Sequence, residues 1–242
     1  MYRAHPPQLE AHIERGALSE SMIRALILDF DGLILDTEGP IYQAWVEIFE
    51  GFGAELPLSA WEVWLGGSPD MFDPCGYLES QLGRAVDREA LTARQREREA
   101  ELIAAESALP GVEAYIADAK RLGLKLGLAS SSDCPWVYRH LERLGLRERF
   151  DSIKCAEDVE NVKPSPDLYL AVLEELGLGA EEAIALEDSP NGITSAQAAG
   201  LFCVVVPNPL TRQLSTDHAD VHLSSLEEVP LEDLLSRTDK GR

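Results

Sequence analysis

The chain has 242 residues, of which 45% are hydrophobic and 26% charged, and its formal net charge is -22. This length suffices for one large domain, or for a core domain with an insert. The negative charge argues against a protein that binds nucleic acid or an anionic membrane, because both require positive charge to neutralise phosphate groups. The negative net charge is still compatible with a site for one small phosphorylated molecule, since a metal and a few local cations can neutralise the phosphate there.

Residues 1–21 contain no apolar segment as long as a signal peptide requires, and we interpret them as an N-terminal extension. No run of residues reaches the roughly 18 apolar positions of a membrane helix. The cysteines form no CxxC pair, which predicts reduced thiols in a cytoplasmic protein rather than disulfides or a zinc site. The four are Cys75, Cys134, Cys155 and Cys203.

The segment "MIRALILDF" (22–30) is apolar almost throughout, as expected of a strand that is covered on both faces. Two acids, Asp29 and Asp31, stand one residue apart at its end, and Asp36 follows. These acids either begin a turn or face a cation, and a D-x-D pattern alone is common in turns. For Asp36 we expect a structural role in the turn that follows.

Residues 38–107 show helical spacing of apolar side chains and no convincing strand, which predicts an all-helical insert. The parallel-sheet core then comprises residues 22–37 and 108–242. Large apolar side chains of the insert either line a surface over the substrate or pack the insert's own core. These residues are Trp61, Trp64, Met71, Phe72 and Tyr77.

After residue 108 the pattern alternates between strand and helix, which predicts an α/β fold with a doubly wound parallel sheet. Glycines at 123, 145 and 177 are expected to end three of the helices in a left-handed conformation. The predicted strands are "LKLGLA" (124–129), "FDSIKCA" (150–156), "EAIALE" (182–187) and "LFCVVVP" (201–207).

In such sheets ligands bind beyond the carboxyl ends of the strands. Acids, hydroxyls and one lysine follow the predicted strands, a set that suits a divalent metal and a phosphate group. Each has a structural alternative: a serine can cap the helix at Pro135, a lysine before proline can be solvated, and Glu-Asp before Ser-Pro can begin a helix. The residues are Asp29 and Asp31, Ser130, Ser131 and Ser132, Lys163, and Glu187 and Asp188.

Four segments at these strand ends resemble, in order, the four motifs of the haloacid dehalogenase superfamily. They are "DFDGLILDTE", "LASSS", "VKPSPD" and "LEDSPNGI". The resemblance extends over nearly the whole chain from Met22 and is strongest to the phosphatases and β-phosphoglucomutases that carry a helical cap after the first motif. It implies a Rossmann-like core with an inserted all-α cap.

The resemblance also implies a role for each candidate residue. Asp29 is the expected nucleophile, which forms an aspartyl-phosphate, and Asp31 the expected general acid and base. Ser130, Ser131 and Lys163 are expected to bind the phosphoryl group. The implied cofactor is Mg²⁺, and its expected protein ligands are Asp29, Asp188, the backbone carbonyl of Asp31, and Glu187 as a further candidate.

Phosphoryl transfer is favoured because dehalogenases of the superfamily lack the second acid, which is Asp31 here. A mutase must bind two phosphates, yet Ile41 and Asp133-Cys134 occupy positions where β-phosphoglucomutase carries histidine and Lys-Asn, and "LGGSPDMFDPCG" contains no cation. We therefore expect a phosphatase for a sugar or polyol phosphate, a monomer or weak dimer without nucleic-acid or membrane partners. The alternatives are a β-phosphoglucomutase-like mutase and a non-catalytic binding protein. The five histidines match no motif and are interpreted as surface or packing residues.

Overall fold

In the part of the chain that the structure describes, six parallel strands form one sheet in the order β3-β2-β1-β4-β5-β6. The computed structural model describes residues 23–65 and 72–238, and the side chains of 62–65 are not described. The predicted extension (1–21), the Trp64 side chain and Met71 lie outside what is described. The strands are β1 (Ala25–Leu28), β2 (Lys125–Ala129), β3 (Ser152–Lys154), β4 (Ala183–Glu187), β5 (Phe202–Val205) and β6 (Val221–His222).

Helices cover both faces of this sheet, as the strand and helix alternation predicts. Alternate side chains of β1 enter two separate hydrophobic clusters: Leu26 and Leu28 one, Ala25 and Ile27 the other. The doubly wound parallel sheet is therefore confirmed. The core helices are α5 (Val112–Arg121), α6 (Cys134–Arg143), α7 (Asp167–Leu176), α8 (Pro190–Ala198) and α9 (Leu231–Thr238).

Between β1 and α5 the described residues form helices and no strand of the sheet, which confirms the all-α cap insert. These helices are α1 (Glu38–Gly51), α2 (Leu58–Leu65), α3 (Pro74–Leu82) and α4 (Arg88–Ala105). Trp61 is only 1% exposed in a hydrophobic cluster of the cap, and Phe72 and Tyr77 pack against the same cluster. For these three residues the structure supports packing of the cap's own core. The exact residue boundaries of cap and core stay a prediction.

The two chain segments that join the cap to the core pair with each other. Leu35 forms an antiparallel bridge with Ala108, and the Leu109 amide donates to the Ile34 carbonyl at 2.9 Å. Gly111 follows at once with φ +85°, and a Cβ atom there would lie 2.6 Å from the carbonyl carbon of Leu226. The backbone of residue 111 is thus fixed against the C-terminal part of the core.

We expect Gly111→Ala to lower the free energy of unfolding by about 2 kcal/mol or more. A left-handed alanine costs about 1–2 kcal/mol, and crowding against fixed backbone adds about 1–3 kcal/mol. Gly123→Ala is a matched control, because Gly123 has φ +76° but no atom lies within 4 Å of the place where a Cβ atom would stand. Urea unfolding of both variants measures the difference, and equal losses would contradict the contact with Leu226.

Several local predictions can be compared with the backbone. Gly123, Gly145 and Gly177 all have positive φ, of 76°, 69° and 66°, at the ends of α5, α6 and α7, which confirms the helix-end prediction. The alternative that a serine caps α6 is wrong, because the side chain of Asp133 accepts the hydrogen bond from the Trp136 amide. The two-residue β6 and helix α9 were not predicted. Among the described residues, every helix is too short or too polar to cross a membrane.

Candidate active site

The predicted site residues meet at the carboxyl end of β1, which lies between β2 and β4 in the sheet. Asp29 follows β1 directly, and its amide donates to the Leu186 carbonyl of β4 at 3.0 Å. Glu187 ends β4, and Asp188 is the next residue. Because parallel strands end at the same edge, the three acids come together although 158 residues separate the two strands in register, Ala25 opposite Ala183.

Lys163 connects two of these acids. Its Nζ donates to Asp29 Oδ1 and, at 2.6 Å, to Glu187 Oε1, and only 6% of its side chain is exposed. The hydroxyl of Tyr169, in α7, donates to the same Glu187 oxygen at 2.5 Å. The alternative of a solvated lysine is therefore wrong. Burial alone would lower the pKa of Lys163, but the carboxylates of Asp29 and Glu187 raise it, so this residue supplies a fixed positive charge.

The three acids form a compact, buried group. Carboxylate oxygens of Asp29, Glu187 and Asp188 lie within 4.8 Å of one another, and the residues are 6%, 0% and 2% exposed. Burial raises the pKa of Asp29 to about 8, although Lys163 opposes the shift. Burial and the neighbouring Asp29 charge also raise the pKa of Asp188 well above its ordinary value. One lysine does not compensate three buried carboxylates, so the donor set fits a hard divalent cation.

Asp31 is held by a different set of residues, which lie on the loop after β2 and in the first turn of α6. Ser132 Oγ donates to Asp31 Oδ2 at 2.7 Å, and Ser130 Oγ lies 3.3 Å from the same oxygen. Trp136 Nε1 donates to Asp31 Oδ1 at 3.0 Å. Of the two serines predicted to bind phosphate, Ser130 is fully buried at this loop, whereas Ser131 is exposed.

His140 packs against the indole ring of Trp136. The two ring centroids are 4.4 Å apart, and His140 is 6% exposed. Burial lowers the pKa of His140, which favours the neutral imidazole. This agrees with the interpretation of His140 as a packing residue.

Two polar residues that the sequence did not single out also face the acids. Asn208, beyond the end of β5, donates to Asp188 Oδ2 at 2.9 Å. Glu38, the first residue of α1, has a buried Oε2 atom without a hydrogen-bond partner among the described residues. Burial, and then the charges of Asp31 and Asp36, raise the pKa of Glu38 to about 7.

Sequence signals for these missed residues differ in strength. Asn208 follows a predicted strand, so the rule that found Lys163 could have found it. Glu38 lies inside the first motif but also begins the predicted cap. Trp136 and Tyr169 stand on helices, where an aromatic residue gives no functional signal. Asp36 accepts a hydrogen bond from the Gly39 amide at 2.8 Å, which supports the structural role predicted for it.

Comparison with known proteins agrees with this arrangement. Residues 26–206 match the sequence model of the family described as "Haloacid dehalogenase-like hydrolase". The "Putative phosphatase YhcW" of Bacillus subtilis (strain 168) is 50% identical over 214 residues, which are 88% of this chain and 97% of that protein. "Hexitol phosphatase B" of Escherichia coli (strain K12) is 34% identical over 224 residues, covering 88% and 97%.

Among solved structures, a "putative beta-phosphoglucomutase from Thermotoga maritima" is similar, with a TM-score of 0.71 and 26% sequence identity. The similarity covers 88% of this chain and 99% of that one. The region matched by the family model includes β1 from Leu26 onward and the acids that follow it, the loop after β2, Lys163 and the end of β4.

Proposed function

Because the chain belongs to the haloacid dehalogenase-like hydrolase family and is a phosphatase, we propose that it hydrolyses a small phosphorylated metabolite with Mg²⁺ through an aspartyl-phosphate. The observation that carries this proposal is the buried bridge from Lys163 to Asp29 and Glu187, with Asp188 beside it. An anionic nucleophile approaches an anionic phosphoryl group only where cations compensate both. The end of β1 offers such a place.

In the first step, an Asp29 carboxylate oxygen attacks phosphorus, and the bond from phosphorus to the leaving oxygen breaks. Asp31 gives its proton to that oxygen, so the leaving group departs as a neutral alcohol. Lys163 and the Ser130 loop bind the non-bridging oxygens during the transfer. The product of this step is a phosphate ester of Asp29.

In the second step, water attacks the phosphorus of the aspartyl-phosphate, and Asp31 accepts its proton. Inorganic phosphate leaves, and Asp29 regains its carboxylate. Asp31 is suited to both proton transfers because the Ser132 hydroxyl and the Trp136 indole hold its carboxylate beside the phosphate loop. A general acid and base of this kind contributes about 10²- to 10⁴-fold.

Asp29 and Asp188, with the backbone carbonyl of Asp31, would hold the metal, which neutralises negative charge on the nucleophile and the phosphoryl group. Glu187 is predicted from the sequence as a further ligand. Its Oε1 already accepts from Lys163 and Tyr169, and its Oε2 accepts from the Asp188 amide at 3.3 Å. We therefore assign Glu187 to positioning Lys163. Asn208 positions Asp188 in the same way.

A sugar or polyol phosphate is the proposed substrate class. The described part of the segment "LGGSPDMFDPCG", residues 72–76, contains no lysine or arginine that could bind a second anionic group of a substrate. Similarity to a hexitol phosphatase supports the same class. A panel of polyol, sugar and carboxylate-bearing monophosphates, assayed by phosphate release, tests the assignment. Turnover that requires a bisphosphate and releases no phosphate would favour the mutase alternative suggested by the β-phosphoglucomutase-like structure.

We expect activity to depend completely on the metal. Carboxylates and a phosphate dianion repel strongly at about 4 Å unless a cation intervenes. Excess chelator should abolish phosphate release from a chromogenic monophosphate, and Mg²⁺ should restore it. Ca²⁺ should inhibit, because it accepts a looser and higher coordination number. Full activity in excess chelator would contradict the proposal, and binding of phosphate esters without any turnover in Mg²⁺ would favour the non-catalytic alternative.

A further inference from the structure

Two of the cysteines, which form no CxxC pair and are expected to be reduced thiols, lie together in the structure. Cys134 begins α6, and Cys155 directly follows β3. The Sγ atoms of both and a carboxylate oxygen of Asp158 lie within 4.8 Å of one another. The Cys134 thiol donates a hydrogen bond to Asp158 Oδ2 at a distance of 3.7 Å. Two thiols that are 21 residues apart in the sequence are thus neighbours in the fold.

Backbone hydrogen bonds hold the group in place. The Cys155 amide donates to Asp158 Oδ2 at 2.8 Å, and the Cys134 amide donates to Glu157 Oε2 at 3.0 Å. The Ala156 amide donates to the Ser132 carbonyl at 3.0 Å, which joins the two loops that carry the thiols. The side chains are thus positioned by the fold itself.

Burial and neighbouring carboxylates act on both thiols of the group. Cys155 is fully buried and Cys134 half-buried. Burial raises the pKa of both thiols, and the carboxylates of Asp158 and Glu157 raise it further. A bound divalent cation would lower the pKa of both thiols, because it stabilises thiolates and displaces their protons to solvent.

We propose that Cys134, Cys155 and Asp158 bind a thiophilic divalent cation of the Zn²⁺ class, with Glu157 or water as the fourth ligand. Tetrahedral Zn²⁺ has bonds of about 2.3 Å to sulfur and about 2.0–2.2 Å to carboxylate oxygen, so its ligand atoms lie somewhat under 4 Å apart. The separation of 3.7 Å between Cys134 Sγ and Asp158 Oδ2 agrees with this geometry. Thiolates select such ions over Mg²⁺, which prefers oxygen.

This site is distinct from the acids around Asp29, and it does not depend on the proposed phosphatase mechanism. The bound ion would connect the first turn of α6 to the loop after β3. The first turn of α6 also carries Trp136, which holds Asp31. Binding of the ion would therefore fix the helix that positions the general acid.

Titration of the reduced, full-length protein with Co²⁺ in saturating Mg²⁺ tests the proposal. We expect one equivalent to produce thiolate-to-cobalt charge-transfer absorption, and Zn²⁺ to remove it by displacement. Losing a residue that only orients a ligand costs about 10- to 100-fold in affinity. Losing a ligand should cost more, so Cys134→Ser and Cys155→Ser should weaken Co²⁺ binding over 100-fold, and Asp158→Asn should weaken it measurably.

Controls separate this site from others on the chain. Cys75→Ser removes a buried thiol in the cap, and Asp29→Asn alters the other acidic group; both should keep the absorption unchanged. Circular dichroism checks that each variant is folded. If Cys155→Ser does not fold, Cys134→Ser is the decisive variant, because Cys134 is the more exposed of the two. Absence of the absorption in the folded wild-type protein, or its persistence in Cys134→Ser, would overturn the proposal. So would a reduced protein that binds no Co²⁺ but forms a Cys134–Cys155 disulfide with oxidised glutathione, seen as a loss of two hydrogens.

Discussion

Asp29→Asn should reduce phosphate release below detection while leaving the protein at least as stable as before. The amide cannot attack phosphorus and carries no charge for a metal, so no phosphoenzyme should form. Loss of the nucleophile in a well-studied hydrolase costs roughly 10⁶-fold in turnover, and we expect a loss of this order. Phosphate release and mass spectrometry after an acid quench measure the two effects.

The stability of this variant distinguishes loss of chemistry from loss of fold. Burial raises the pKa of Asp29 to about 8, so at neutral pH an ionised Asp29 is unfavourable in the metal-free protein. A neutral amide of the same shape removes that cost, and Lys163 keeps Glu187 as its partner. The melting temperature in chelator should therefore be unchanged or higher. Asp233→Asn, an exposed position in α9, is the control for the same substitution away from the site and should change neither quantity.

Asp31→Asn should slow the enzyme by about 10²- to 10⁴-fold, by an amount that depends on the leaving group. The variant retains Asp29 and the backbone carbonyl of residue 31 but has no proton to transfer. An ester of an acidic phenol needs little protonation and should still phosphorylate Asp29, whereas an alkyl phosphate should barely react. The phosphoenzyme should then persist, because no base activates the attacking water.

Asparagine at position 31 can keep the hydrogen bonds that Asp31 makes, so the substitution removes the acid without disturbing its surroundings. The Trp136 indole can only donate, so the amide oxygen must face it; the amide nitrogen then faces Ser132, whose hydroxyl can accept. Asparagine therefore fits the same place without an unpaired donor. Rapid acid quench and peptide mapping should show a phosphate adduct on the peptide that contains Asp29. An adduct on Ser130, or equal losses for phenyl and alkyl esters, would contradict the roles assigned to the two acids.

The positions of the acids and of Lys163 could be predicted because each follows a strand, and strands can be recognised from local sequence patterns. Apolar runs define strands, their alternation with helices makes them parallel, and parallel strands bring their ends together. Asp29, Lys163, Glu187 and Asp188 all occupy such ends, so their meeting could be predicted without knowledge of packing. The cap was predictable for a similar reason, since the period of its apolar residues changes at Glu38.

Other parts of the site depend on tertiary contacts that no local pattern encodes. Trp136 and Tyr169 reach the acids only because α6 and α7 pack at particular angles against the sheet. The burial of Lys163 likewise follows from the surroundings, since lysine before proline occurs in both solvated and enclosed loops. Cys134 and Cys155 show the same limit: they are adjacent because β2 pairs with β3, and their spacing in the sequence carries no trace of it.

The position of β1 in the middle of the sheet has a consequence for how the chain folds during synthesis. Ala25 pairs with Lys125 on one side and with Ala183 on the other, so β1 has no neighbour in the sheet until the ribosome has made more than half of the chain. Contacts between such distant residues form slowly. In the meantime the cap can assemble first, because its helices contact residues that are closer in the sequence than the partners of β1 are. The nucleophile at the end of β1 is thus synthesised early, but the active site around it is complete only after β4 has been synthesised and has paired with β1.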